Sequence, residues 1–169
     1  MKPFEMTEEF HRTFDARQPG KPAAFTAEAA AHRANFKAEE IVELLYASSK
    51  DQTEFEQLVT GLHAAIDKAQ AKSLAQGTFS TEPLVDQVDA LTDLLYFTYG
   101  SFSLIGVDPE PIMHIVHEAN MHKLFPDGKP HYDPETNKVL KPENWARDFA
   151  PEAKIKKEIT RQIRKAEQD

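Results

Sequence analysis

Glu40 and Glu43 stand three residues apart in NFKAEEIVELLYA, and Asp89 and Asp93 stand four apart in VDALTDLLYFTYG. Both intervals return a side chain to the same face of a helix. Glu39 adjoins the first pair and Asp86 precedes the second. Each acidic face has aromatic neighbours, Phe36 beside the glutamates and Tyr96 and Phe97 beyond the aspartates. Carboxylates are hard oxygen donors. Two such faces brought together repel each other unless divalent cations lie between them, and Mg²⁺ held this way makes a seat for a polyphosphate. The other reading is that each face is solvated surface. A face turned only to water has no need of Phe36, however. Beyond Asp93 the helix is apolar all round, which signals burial on both sides. A lone carboxylate at the edge of such a region is costly. Gly100 on the same face lets a backbone or ligand come close.

A third stretch, PIMHIVHEANMHKLF, offers complementary groups. Ile112, Ile115, Val116 and Ala119 make its inward face, and Asn120 and Lys123 fall on or beside it. An amide there suits a nucleobase or sugar, or else a hydrogen bond between helices. An ammonium there meets a phosphate as a point charge, or lies along the surface on its apolar stem. His117, nearer the inner edge, is a candidate for a phosphate hydrogen bond. His114 and His117 diverge by about 60° around a helix. With no third nitrogen or sulfur ligand near in sequence, a zinc site is disfavoured.

The elements that must position these groups are helices. Six stretches read as helical: about 6–15, 26–48, 53–75, one opening at Thr81-Glu82-Pro83, 109–124, and 151–167. Thr26 is the expected cap of the second, and Thr53 with Glu56 fits a capping box for the third. Pro83 suits a first turn, and Asp108-Pro109 opens the fifth helix. Pro19, Gly20 and Pro22 interrupt regular structure in ARQPGKP. Lys129–Tyr132 and Lys138–Lys141 are placed to pair as a short hairpin around DPETN. The expected fold is all-α: an antiparallel helical bundle with a short C-terminal hairpin and a terminal helix. It forms one domain over 1–169, with its core at about 26–125 and an appendage at 126–169.

Composition sets the outer limits. A chain of 169 residues is long enough for one real core. It has no cysteine, so disulfides and thiolate metal sites are excluded. No apolar run reaches the ~20 residues of a membrane span, and the N-terminus lacks a signal-peptide pattern. A cytoplasmic protein is the expectation. A net charge of −8 argues against non-specific nucleic-acid binding but not against phosphorylated ligands carried with a metal. The cationic run KIKKEITRQIRK reads as a solvated helix face or as an anion-binding tail.

Taken together, these segments resemble the all-α nucleoside triphosphate pyrophosphohydrolases, the MazG-like and phosphoribosyl-ATP pyrophosphohydrolase superfamily. Glu40-Ile41-Val42-Glu43 resembles its E-x-x-E pair, and DLLYF from Asp93 resembles the end of its later E-x-x-D pair. ANMHKLF resembles a downstream A-N-x-x-K segment. The block from Val88 to Leu124, an early EFH…F helix and a late DGK…NKVLKP…W segment are closest to the dimeric dUTPase-like branch. Where the family has an acid three residues before Asp93, this chain has Ala90. The role passes to Asp89, and Asp86 can share it. The resemblance implies Mg²⁺-dependent cleavage of a nucleoside triphosphate to the monophosphate and pyrophosphate, with Mn²⁺ as a substitute ion. It implies Glu40, Glu43, Asp89 and Asp93 as metal ligands, and Glu39 or Glu40 as the group that orients or deprotonates water. Asn120, Lys123 and His117 become substrate contacts. It also implies a homodimer and a house-cleaning role in the nucleotide pool, a dUTP-like substrate included. Phosphoribosyl-ATP hydrolysis, or a non-catalytic nucleotide-binding or scaffold dimer, are the alternatives.

Overall fold

The computed structural model describes residues 1–15, 17 and 19–168. Within the stretch read as irregular, Ala16 and Gln18 therefore lie outside the described residues, as does Asp169 at the end. Among the described residues are seven helices: α1 (Pro3–Phe14), α2 (Ala27–Ser48), α3 (Gln52–Leu74), α4 (Pro83–Leu104), α5 (Glu110–Met121), α6 (Trp145–Asp148) and α7 (Glu152–Ala166). The class is all-α, as expected. Helix α6, one turn long, had no periodic signal to announce it.

The hairpin contracts to one antiparallel bridge, Tyr132 with Val139. Asp133 N donates to Lys138 O at 2.9 Å, and Leu140 N donates to His131 O at 2.8 Å. The Asp133 carboxylate collects the amides of Glu135 and Thr136, and Asn137 takes the left-handed conformation that closes the turn. Pro130 has no amide to extend the ladder, so pairing stops there.

Local capping explains most boundaries. Thr26 accepts from Ala29 N at 3.2 Å, as its position predicts. Helix α3 starts earlier than the Thr53–Glu56 box suggests. Asp51 is the cap and accepts from Glu54 N at 2.9 Å, while the Glu54 carboxylate accepts from Lys50 N at 2.8 Å. KDQTEFE carries two overlapping signals, and aspartate is the stronger cap. Pro83 opens α4, where its missing amide costs nothing. That helix ends as Gly106, at φ 70°, turns the chain so that Val107 N reaches Phe102 O at 3.0 Å. Asp108 accepts from Glu110 N at 3.0 Å at the start of α5.

The described chain forms two units, residues 1–21 with 92–169 and residues 22–91. In the first, α5 packs against both α1 and α7. Met6, Phe14, Ala119 and Trp145 are buried there. Phe10 stacks on Phe14 with ring centres 4.5 Å apart. The Tyr132 hydroxyl donates to Phe14 O at 2.6 Å, which ties the bridge segment to the end of α1. Gln162 accepts from Asp108 N and donates to Asp108 O, at 2.8 and 3.0 Å, and so holds α7 to the start of α5.

In the second unit α2 packs on α3, with Tyr46 edge-on to Phe55 near their junction. Gln87 exchanges two hydrogen bonds with the backbone of Phe25, at 2.7 and 3.1 Å. No residue of α2, α3 or α4 is buried, and α4 belongs to the second unit only up to Leu91 and to the first from Thr92. The burial that the sequence predicts around Asp93 is therefore not supplied by the described residues: Leu95 is 60% exposed, Tyr96 77% and Phe97 71%. A Cβ at Gly100 would meet nothing within 4 Å, so none of the described residues makes the expected close approach. Hydrophobic periodicity reports that a face is to leave water. It does not report which molecule removes it.

Candidate functional site

Glu39, Glu40 and Glu43 are exposed on α2. The cations of that helix gather around Phe36 instead. The Arg33 guanidinium lies 5.6 Å from the Phe36 ring centre, and His32 meets the same ring edge-on at 4.8 Å. Lys37 Nζ donates to Arg33 O at 3.2 Å. Burial first, and the nearby Arg33 charge second, lower the Lys37 pKa. This arrangement leaves Glu40 and Glu43 without an ion pair among the described residues. On α4, Asp86, Asp89 and Asp93 are exposed and likewise unpaired.

Each helix thus presents its own acids. Among the described residues, no three histidine, aspartate or glutamate side chains are gathered so as to hold a metal ion.

The α5 groups lie in better-packed surroundings. Asn120, Lys123 and His117 are all half-buried. His117 Nε2 is 3.0 Å from Glu9 Oε2 on α1, so one nitrogen of the expected phosphate contact is already engaged. That pairing spans 108 residues and had no local signal. His114 is exposed, and nothing joins it to His117. The Lys123 ammonium lies 6.0 Å from the centre of the Trp145 ring, and that of Lys141 lies 4.2 Å from it. Such contacts contribute ~0.5–1 kcal/mol each at exposed sites. The indole Nε1 donates to Ala119 O at 2.8 Å, directly before Asn120.

The most perturbed acids are elsewhere. Arg17 holds the Asp15 carboxyl at about 2 through a two-pronged bond, and Arg161 with Gln162 does the same for Glu158. Asp148 is held at about 2 by Arg147 and Asn144. These are local structural pairs, and they show why a shifted pKa alone does not locate a site. An open groove of about 860 Å³ runs along α7, lined by Ile115 and by Lys154, Lys157, Arg161 and Arg164 among others. It contains none of the acids or amides singled out from the sequence.

With this geometry in place, the relatives can be compared. The sequence profile of the phosphoribosyl-ATP pyrophosphohydrolase family matches residues 7–120, a span that holds α2, α4 and Asn120. A crystal structure of a provisionally assigned NTP pyrophosphohydrolase from Exiguobacterium sp. 255-15 is 38% identical, with a TM-score of 0.89 over 98% of each chain. No curated protein matches the chain.

Proposed function

The chain belongs to the phosphoribosyl-ATP pyrophosphohydrolase family, within the MazG-like NTP pyrophosphohydrolase superfamily, and from that premise we propose a Mg²⁺-dependent hydrolysis of (deoxy)nucleoside triphosphates to the monophosphate and pyrophosphate. The enzyme class follows from membership. The substrate, the ion and the residue roles are our reading. A dUTP-like nucleotide is the favoured substrate and house-cleaning of the nucleotide pool the favoured role, with the whole chain working as one domain.

One observation carries this reading. Glu40, Glu43, Asp89 and Asp93 lie on helices rich in exposed apolar side chains, inside the matched span, and none has an ion-pair partner among the described residues. An oxygen-only donor set in a chain without cysteine fits Mg²⁺ or Mn²⁺. These four carboxylates are the proposed ligands. When bound, the ion offsets charge on the triphosphate and acidifies water.

The remaining roles fall to the chain's own groups. Glu39 or Glu40 orients the attacking water and accepts its proton. Lys123 stabilises charge on the phosphates as the bond to the leaving group breaks. Asn120, with a donor and an acceptor on one amide, contacts the nucleoside. His117 reaches a phosphate with its Nδ1 alone, because Nε2 is engaged by Glu9.

The proposed assembly is a homodimer. Leu44, Tyr46, Val88, Leu95, Tyr96 and Phe97 are exposed in α2 and α4, and monomeric proteins rarely leave so much apolar surface in water. No described helix is long and apolar enough to cross a membrane. The proposed setting is cytoplasmic, with no nucleic-acid partner.

Two other readings have specific support. The matching family is described by phosphoribosyl-ATP. Ala90, where the family has an acid, favours a nucleotide-binding dimer without turnover. A pyrophosphate-release panel over canonical and modified (d)NTPs and phosphoribosyl-ATP, with Mg²⁺ and Mn²⁺, separates the three. Release from dUTP-like substrates is the expected result. Binding of a non-hydrolysable nucleotide with no release from any substrate overturns the enzymatic reading.

A further inference from the structure

Arg33 lies in a stretch of α2 where no position one turn away carries an acid: these are Ala29, Ala30, Phe36 and Lys37. Among the described residues no carboxylate pairs with Arg33 or with Lys37. Arg33 is half-buried, and its guanidinium lies 5.6 Å from the Phe36 ring centre. His32 braces the same ring edge-on at 4.8 Å. Lys37 Nζ donates to Arg33 O at 3.2 Å, so a second cation is held within a turn of the first. A ring attracts a cation through its quadrupole but supplies no net negative charge. Both positive charges are thus left without a counter-charge among the described residues.

The acids of the same stripe lie further along α2. Glu40 follows Arg33 by seven residues, which is about 20° short of two full turns and about 10 Å along the axis. In the same projection Phe36 falls between Glu40 and Glu43. Side chains of a helix lean toward its N-terminus, so Glu40 leans back toward Phe36 and Arg33. Two turns are too far for a direct ion pair, and none forms. The interval leaves room for an anion beside the guanidinium and a divalent ion beside the carboxylates. Charge then alternates along the stripe: guanidinium, phosphate, metal, carboxylate. The planar guanidinium fork suits a phosphate oxygen pair better than an ammonium does.

We propose that Arg33, held against Phe36, binds a phosphate of the nucleotide's polyphosphate chain on the stripe of α2 that carries Glu40 and Glu43. Arg33 is a binding residue in this arrangement. Phe36 is a positioning residue, since it acts through the guanidinium. The proposal rests on the reading of Glu40 and Glu43 as metal ligands, and adds to it a cation that no sequence motif singled out. It also gives Phe36 a task on a face otherwise made of charged groups.

The test is calorimetric titration of inorganic pyrophosphate, with Mg²⁺ present, into wild type, Arg33→Gln, Arg33→Lys and Phe36→Leu. Steady-state turnover of the preferred triphosphate is measured on the same proteins. Arg33→Gln is expected to weaken pyrophosphate binding and raise KM about tenfold, with a shallower salt dependence. Its kcat is expected to change by less than about threefold, as for loss of binding shared by ground and transition states. Arg33→Lys keeps the charge and loses the fork, so its affinity should fall between the two; it also carries the test if Arg33→Gln does not fold. Phe36→Leu should raise KM by a smaller factor, and should add nothing once Arg33 is already Gln, which a merely structural ring would not do. Wild-type pyrophosphate affinity and KM in Arg33→Gln overturn the proposal, and leave the metal-site reading standing if Glu43→Gln still abolishes turnover. Arg33-dependent pyrophosphate binding with wild-type turnover in Glu43→Gln supports the arginine and removes the metal-ligand role of Glu43 instead.

Discussion

Residues 1–21 with 92–169 and residues 22–91 use helices in opposite ways. In the first unit α5 packs on α1 and α7, Met6 is 0% exposed and Phe14 2%. In the second, α2 and α3 meet near their junction, and not one of their residues is buried. Long-range bonds of the first unit include His117 to Glu9, Tyr132 to Phe14 and Trp145 to Ala119. In the second, the Gln87–Phe25 pair is the counterpart. The difference is one of purpose. The first unit has buried residues of its own, yet its share of α4 also leaves Leu95, Tyr96 and Phe97 exposed. The second carries Ile41, Leu44 and Val88 on its outside, at ~25 cal/mol per Å² of apolar area not yet removed from water. It also carries Glu40, Glu43 and Asp89.

This contrast can be broken most severely by truncation. Phe14→Ala should cost ~3–5 kcal/mol in the first unit, by the same amount at every protein concentration. Leu44→Asp should instead cost an amount that varies with protein concentration and shift the sedimentation profile toward monomer. Equal, concentration-independent losses from the two changes would mean that the second unit needs no partner. The next largest effect is catalytic. Glu43→Ala or Asp93→Ala should lower Mg²⁺-dependent pyrophosphate release by roughly 10²-fold or more, about 2.7 kcal/mol, with far-UV circular dichroism unchanged. Unchanged turnover in both variants would remove these acids from the mechanism.

The smallest effect belongs to the first unit alone. Asp15 and Glu158 are held at about 2, below their ordinary values of 3.8 and 4.5. A carboxyl whose folded value is depressed contributes stability above its unfolded value and loses it as pH falls through the folded one. Thermal melts should therefore show a modest loss of stability from about pH 4.5 down to about pH 2. Arg161→Gln should flatten the Glu158 part of that slope, and an unaltered slope would show that the pair is too well solvated to matter.

How much of this was legible in the sequence differs between the same two regions. The six longer helices were readable, because signals such as Thr26, Pro83 and Asp108 are local and act within one turn. The start of α3 was misplaced by two residues because Asp51 and Thr53 both qualify as caps. Helix α6 escaped notice because four residues carry no period. The E-x-x-E pair and the A-N-x-x-K segment were visible as motifs. What they touch was not. The Glu9–His117 bond and the two lysines over Trp145 join residues far apart in sequence, and no spacing rule reaches that far. Around Asp93 the pattern foretold burial, and the chain's own helices leave that surface exposed. A pattern of apolar residues cannot tell association from folding.

The central claim is that Glu40, Glu43, Asp89 and Asp93 hold Mg²⁺ for a polyphosphate. Its most direct test is calorimetric titration of Mg²⁺, in the presence of a non-hydrolysable nucleoside triphosphate, into wild type and Glu43→Gln. The account predicts saturable binding to wild type and an affinity at least about tenfold weaker in the variant. No binding to wild type at millimolar Mg²⁺, or equal affinity in the two proteins, would contradict it.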